Sequence, residues 1–363
     1  MTEFELKIRK IQDLMERHKT NALLLQQASN FAWATCGASS YVNMAATNGA
    51  SSLLLTPSNH YVITDNIEAA RLRQEEHLED QGWEFYITPW YETNQAVDRL
   101  TRSLNLGTDH PHPGAADLSA EFPRLRAALT LEEGERFRKL TKLCAEAMDQ
   151  AIRSVHPGMT EYQIAGIMSN ETQSRGVQPI VNLIGADERI FRFRHPLPTS
   201  KQLDRYAMLV LCGRKWGLVC SITRLIYFGH LPDELHLKAE AVAHVDAQFI
   251  ISTRPGRKLQ DIFREVAQTY NEQNFADEWQ LHHQGGPAGY EPREFLVTPS
   301  SEDIVSVGQA FAWNPSITGV KSEDTILVGM DKNEVLTCIP GWPTVKVQLS
   351  GQEIERPAIL EIN

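Results

Sequence analysis

The sequence has few cysteines and none paired: Cys36, Cys144, Cys212, Cys220 and Cys338 are odd in number and scattered, with no Cys-x-x-Cys. That excludes a disulfide scaffold and a CxxC redox or zinc module. It fits free thiols in a reducing compartment, so the cytoplasm is expected. No apolar run reaches the roughly 18 residues that a membrane span needs, and no membrane partner is expected. The opening stretch MTEFELKIRKIQDLMERH is charged and amphipathic without an apolar h-region, and reads as a helix rather than a signal peptide. Positive charge is also short. Lys and Arg total 35 against 46 Asp and Glu, a net charge of −11, which argues against a phosphate-binding surface and a nucleic-acid partner.

What is present is the material of a folded protein. The hydrophobic fraction of 42% supports a core, and 363 residues suit two domains better than one. After an opening helix over 4–18, short apolar runs at 22–25, 51–58, 60–65 and 84–90 read as strands, with a helix expected over 68–82. Strands alternating with helices predict an α/β domain. The stretch 108–123, rich in Pro, Gly and His, is expected to be a linker. The domains are accordingly placed at 1–125 and 126–363. His110 and His112 read as residues of a polar loop rather than a metal pair.

Beyond the linker, Thr130 and Glu133 form a capping box ahead of an amphipathic segment that runs to about Val155. It ends at HPGMTEYQIAGIM, where Pro157 and Gly158 turn the chain and Thr160 with Gln163 cap another helix. The same order of helix, Pro-Gly and amphipathic helix returns at RPGRKLQDIFREV, around Pro255. Two copies, each followed by strand-rich sequence, predict duplicated α/β halves about a pseudo-two-fold axis.

The segment MLVLCGRKWGLVCSITRLIYFG (208–229) resembles the strand hairpin of the creatinase, aminopeptidase P and methionine aminopeptidase family, which reads roughly D-x-G-x-x-x-x-G-x-x-x-D-I-T-R. GVKSEDTILVG (319–329) resembles that family's G-V-R-x-E-D-T element. With the two Pro-Gly helices, the resemblance covers about 131–345. It implies an α/β fold: a C-terminal pita-bread domain with duplicated halves, preceded by a smaller α/β creatinase-type domain.

The peptidases of that family hold two metal ions with two Asp, one His and two Glu. The resemblance places Val210 and Ser221 at the Asp positions, Gly286 at the His position, Asn314 at the first Glu position and Glu323 at the second. One carboxylate in five does not hold two divalent ions, so no metal and no other cofactor is expected, and sub-stoichiometric metal content follows. All five positions are expected to converge on one pocket.

Creatinase, a metal-free member, implies a different chemistry, with a His as proton carrier. His195 stands in that register, and an imidazole titrating near neutral pH can take a proton from water and deliver it to a leaving nitrogen. A nearby Glu323 would raise its pKa and Arg194 or Arg293 would lower it; with Arg194 its neighbour in sequence and more than one cation in the pocket, a depressed pKa is expected. Glu323 joins it as a catalytic candidate. Arg293, Arg194, His282 and Glu294 are the substrate-binding candidates, the guanidinium forks suiting a carboxylate. Arg192 and Arg194 alternate with Phe191 and Phe193, which in an extended segment puts both on one face. Either can instead pair with surface acids. Glu291 and Glu294 can hold a substrate cation or orient Arg293. Of His282 and His283, alternation on a strand lets only one face the pocket, and the register favours His282. Cys212 and Cys220 read as buried small hydrophobes, and Trp216 and Trp313 as residues that line or plug the pocket.

Three functions stand open. One is a metal-independent hydrolase that cleaves a C–N bond of a small carboxylate-bearing substrate, creatine-like or dipeptide-like, with His195 as general acid and base. Another is an Xaa-Pro dipeptidase or aminopeptidase-like metallopeptidase, and the third a non-catalytic peptide- or protein-binding module. The resemblance also implies a homodimer, to which Arg71 and Arg73 are candidates to contribute.

Overall fold

The computed structural model describes residues 1–349 and 351–363, apart from the side chains of residues 93–95. The chain divides into two compact units, Met1–Arg126 with Trp216–Leu218, and Ala127–Lys215 with Val219–Asn363. Its secondary structure is mixed α/β throughout.

In the first unit the opening helix, Glu3–Arg17, starts at a capping box formed by Thr2 and Glu5. Six strands form one sheet in the order Glu84–Thr88, His60–Asp65, Asn48–Leu55, Ala22–Gln27, Leu106–Thr108 and Ala116–Asp117. The stretch expected as a linker therefore supplies one strand of this sheet, Ala116–Asp117, and the last residue of another, Leu106–Thr108. Asp109 ties it in, its buried carboxylate accepting from the backbone N–H of Gln26 and Gln27 and from Asn30 Nδ2 at 2.8–3.0 Å. Those bonds satisfy donors that the sheet otherwise leaves buried. The helix expected over 68–82 is also corrected. It covers only Ala69–Gln74, because His77 takes a φ of +52°, a left-handed conformation that a helix does not accommodate.

The second unit carries the duplication. Helices Leu131–Arg153 and Glu161–Gln173 precede one four-stranded sheet; helices Asp233–Ser252 and Leu259–Glu272 precede the other. The Pro-Gly turns between the helices match: Gly158 has φ +89° and Gly256 φ +85°, a region that costs glycine little. The first sheet holds Gln178–Ala186, the hairpin Tyr206–Lys215 and Leu218–Phe228, and Leu360–Ile362. The second holds Gly285–Ala288, Ala310–Trp313, Asp324–Leu327 and Glu334–Val335. A single bridge, Thr223 to Glu323, joins the two sheets, the Thr223 N–H donating to the Glu323 carbonyl at 3.1 Å.

Strand alternation then decides what each residue near that bridge does. On one side Arg224 pairs with Asp324 at 2.8 Å, and Arg356 bonds both Asp246 and Asp324. Ser322 also donates to Asp246. All five are buried, and this network pins the hairpin to the second sheet. Lys321 and Glu323 alternate with Ser322 and Asp324, as Ser221 and Thr223 do with Ile222 and Arg224, so these four share the opposite face. Behind them Trp313 is fully buried, stacked on Phe249 with ring centroids 4.3 Å apart and donating its indole N–H to Thr253. It belongs to the core and neither lines nor plugs a pocket, a correction to the expectation. Trp216 sits in the hairpin turn at φ +53° and is not part of the cavity lining described below.

Candidate functional site

A cavity of about 480 Å³ opens in the second unit. Val181, Leu183 and Val210 from the first sheet, with Pro292 and Leu296 from the 289–297 segment, form its apolar wall. Its polar wall is His195, His283, Arg293, Asn314, Lys321 and Glu323.

Glu323 is the centre of this wall. Its Oε1 accepts from Arg293 Nη2 at 2.8 Å, and its Oε2 from Lys321 Nζ at 2.9 Å and from the Thr223 hydroxyl. Burial alone would raise this carboxyl. Lys321 and Arg293 outweigh burial and hold it far below the usual carboxylate range. Arg293 also donates Nη1 to Ser221 Oγ at 2.9 Å, while its Nε–H is buried and has no partner among the described residues. The same is true of Asn314 Oδ1, although Asn314 is only 2% exposed. Two cations against one carboxylate leave this wall with one surplus positive charge, an unmet donor and an unmet acceptor.

His195 stands exposed at the edge of the cavity. Burial of part of its ring lowers its pKa, with Lys321 and then Arg293 adding to the effect and Glu323 opposing it. The shift favours the neutral ring, whose Nε2 lies 3.1 Å from His282 Nε2. Arg194 has no part in this, because Glu278 Oε2 and Thr318 Oγ1 take its guanidinium at 2.6 and 3.1 Å. It does not line the cavity, which corrects its assignment to substrate binding. The Phe-Arg alternation is not extended either: Arg192 ends the helix Glu188–Arg192 and is exposed.

The two adjacent histidines are also corrected. Residues 282 and 283 precede the strand Gly285–Ala288, so strict alternation does not apply to them. Both rings turn toward His195. His282 Nε2 lies 3.1 Å from His195 Nε2, and the His283 ring centroid is 5.7 Å from that of His195. His283, not His282, lines the cavity. Glu294 is buried and bonded to the Tyr290 N–H at 2.7 Å, so it shapes the 289–294 turn rather than facing a substrate cation. Cys212 lines the cavity beside Ser221 Oγ at 3.3 Å, but burial pushes its thiol up to about 11. Cys220 is buried and raised by burial as well. Neither is a thiolate at neutral pH, as expected of small hydrophobes. His110 and His112 fall outside the one metal-competent group found among the described residues.

Of the five positions resembling metal ligands, Val210, Asn314 and Glu323 line the cavity, Ser221 reaches it through Arg293, and Gly286 is not in its lining; together they do not supply a dinuclear site. Val210 brings no donor atom. Ser221 Oγ already serves Arg293 and Cys212. At Gly286, on the strand that pairs with Ala310–Trp313, a Cβ would collide with the Phe295 carbonyl, so no imidazole fits there. Asn314 offers one neutral amide oxygen, and both oxygens of Glu323 are held by cations. Two carboxylate-bridged divalent ions do not fit this set.

Sequence reasoning missed Lys321 and undervalued His283. The first was legible, since a residue two before Glu323 on a strand shares its face. The second depended on the loop path before Gly285, for which the sequence carries no signal.

Comparison with known proteins places this geometry. A Bacillus anthracis Xaa-Pro dipeptidase superposes with a TM-score of 0.78 at 16% identity, over 99% of this chain and 100% of that one. A prolidase from Pyrococcus horikoshii gives 0.77 at 18%, over 92% and 98%. The N-terminal domain of the chickpea FACT complex subunit SPT16 gives 0.71 at 14%, over 93% and 97%. At such identity these likenesses establish the fold alone, and the fold is shared by proteins described as peptidases and by one that is not. In sequence, an uncharacterized peptidase of Staphylococcus haemolyticus is 24% identical over 245 residues, 64% of this chain and 68% of that protein. Related uncharacterized peptidases of Staphylococcus aureus match at 23–24% over 65% of their length, so the chain spans about two thirds of these relatives. Residues 135–330, more than half of the chain, match metallopeptidase family M24. The chain belongs to that family of hydrolases and carries its pita-bread fold.

Proposed function

We propose that this protein hydrolyses a C–N bond in a small carboxylate-bearing substrate, creatine-like or dipeptide-like, without a metal ion. The observation that carries the reading is the polar wall of the cavity: a neutral imidazole at His195 faces a Lys321–Glu323–Arg293 cluster that holds one surplus positive charge. An unmet Arg293 Nε–H and an unmet Asn314 Oδ1 fit a ligand that presents both a carboxylate oxygen and an N–H. The apolar wall suits an N-alkyl group or a ring.

In the reaction, His195 takes a proton from water as the water oxygen bonds to the amidine or amide carbon. The resulting imidazolium returns that proton to the departing nitrogen as the C–N bond breaks, and the ring ends neutral again. Arg293 and Lys321 hold the carboxylate and thereby fix the distance to the attacked carbon. The protein acts as a homodimer in the cytoplasm, a reading supported by the family resemblance and by five free cysteines. No helix among the described residues is long and apolar enough to cross a membrane. Light scattering at micromolar concentration is expected to give twice the mass of one chain, and a monomer removes the claim.

The test is a turnover screen of guanidino and amidino acids, cyclic amidines and Xaa-Pro dipeptides, the last included because solved neighbours include a prolidase and an Xaa-Pro dipeptidase. Turnover of at least one carboxylate-bearing substrate is expected, and of none of the matching amides that lack the carboxylate. Arg293→Ala then raises KM by about 10–100-fold, the value of a charge-assisted hydrogen bond, with a smaller change in kcat. An unchanged KM would remove Arg293 from substrate binding.

A further inference from the structure

Three imidazoles meet at the edge of the cavity. One ring nitrogen each from His195, His282 and His283 lies within 4.8 Å of the others, and the closest pair is 3.1 Å apart. The rings come from two separate segments, and the 282 and 283 rings are packed with centroids 4.4 Å apart. Because two Nε2 atoms face each other, only one of them carries a proton toward the other. Nδ1 of His282 and Nδ1 of His283 are both buried with no hydrogen-bond partner among the described residues, and His282 is only 8% exposed.

Electronically the cluster is ready to act as a ligand set. Burial first, then neighbouring cations, lowers His282 to about 2 and His283 to about 4, so both rings are neutral at neutral pH. A metal ion therefore has few protons to displace. Metal–nitrogen bonds of about 2.0–2.1 Å put tetrahedral ligand atoms roughly 3.3 Å apart, close to the His195–His282 separation.

We propose that His195, His282 and His283 form a site for one borderline transition-metal ion, zinc, nickel or copper, with a further coordination position open to the cavity. Imidazole nitrogen suits these ions, whereas magnesium, calcium and manganese prefer oxygen. Glu323 takes no part, so this is not a remnant of the carboxylate-bridged pair. The surplus positive charge nearby weakens the site relative to an isolated three-histidine centre. The ion occupies the His195 lone pair and so inhibits turnover. That consequence rests on the proposed reaction; binding of the ion does not.

The experiment is a titration of the full chain, stripped with chelator and dialysed free of it, with Co²⁺, Zn²⁺ and Mn²⁺. Co²⁺ is followed by its visible absorption and Zn²⁺ by competition against it. One equivalent of Co²⁺ is expected to bind and to be displaced by one equivalent of Zn²⁺, with no saturable Mn²⁺ binding. His195→Gln and His283→Gln, with melting curves as folding controls, each weaken Co²⁺ by more than the roughly 10–100-fold seen on losing an outer-shell partner. Absence of a saturable Co²⁺ signal, or one unchanged in both variants, overturns the site. If Co²⁺ binds as described while His195→Ala still turns over substrate, the metal site stands and the proton-carrier reading fails.

Discussion

Replacing His195 with alanine lowers kcat by about 10²–10⁴-fold and leaves KM within a few-fold, the signature of a positioned acid–base group rather than a binding contact. The ring is exposed, so its removal leaves no cavity in the core and the melting temperature is expected to move little. The pH profile supplies a second readout. A base must be neutral to accept a proton, and burial, Lys321 and Arg293 lower the His195 pKa. The acidic limb of kcat/KM in chelator-treated protein therefore lies below the value of about 6.5 for an unperturbed histidine. A limb displaced above it would show that Glu323 governs the ring instead. Turnover of the His195→Ala protein within a few-fold of wild type ends the proton-carrier reading.

Glu323→Gln has the larger effect on stability. Glu323 faces two buried cations, and its replacement leaves Lys321 and Arg293 opposite a neutral amide. Breaking a buried ion pair by removing one partner costs about 3–5 kcal/mol, because the remaining charge stays desolvated. The effect also depends on pH. The folded-state pKa of Glu323 is depressed, so its contribution is fully present above the unfolded value of about 4.3 and is lost as pH falls below it. Chemical denaturation of the wild type should steepen its loss of stability below that pH, and the Glu323→Gln curve should be flatter in the same window. A variant within 1 kcal/mol of wild type at pH 7 would mean that the cluster is solvated and that its charges act weakly.

Fold and site were unequally legible in the sequence. The duplicated halves could be read because their signals are local: Thr130 with Glu133 and Thr160 with Gln163 form capping boxes as expected, and the two Pro-Gly turns take the same left-handed glycine. The hairpin and the SED element could be read because each resembles a motif of the family, and the structure pairs them through the buried Arg224 and Asp324. Errors fell where tertiary partners override local pattern. The proline- and histidine-rich stretch after 108 looked like a linker, yet Asp109 is buried under the first sheet by bonds to residues some eighty positions earlier. Arg194 looked like a substrate fork until Glu278, far along the chain, claimed it. Depletion of metal ligands was visible residue by residue. What took their place, a carboxylate clasped by Lys321 and Arg293 beside three neutral imidazoles, required the two sheets to be brought together.

The most direct measurement is turnover of a carboxylate-bearing guanidino acid, or of whichever substrate the screen yields, by protein held in excess chelator. With Glu323 neutralised by two cations and no donor at Val210 or Gly286, the expected rate in chelator equals or exceeds that of untreated protein, and added Mn²⁺ does not raise it. A rate that vanishes in chelator and returns with Mn²⁺ or Co²⁺ would contradict this, and would make the protein a metallopeptidase with an unrecognised ligand set.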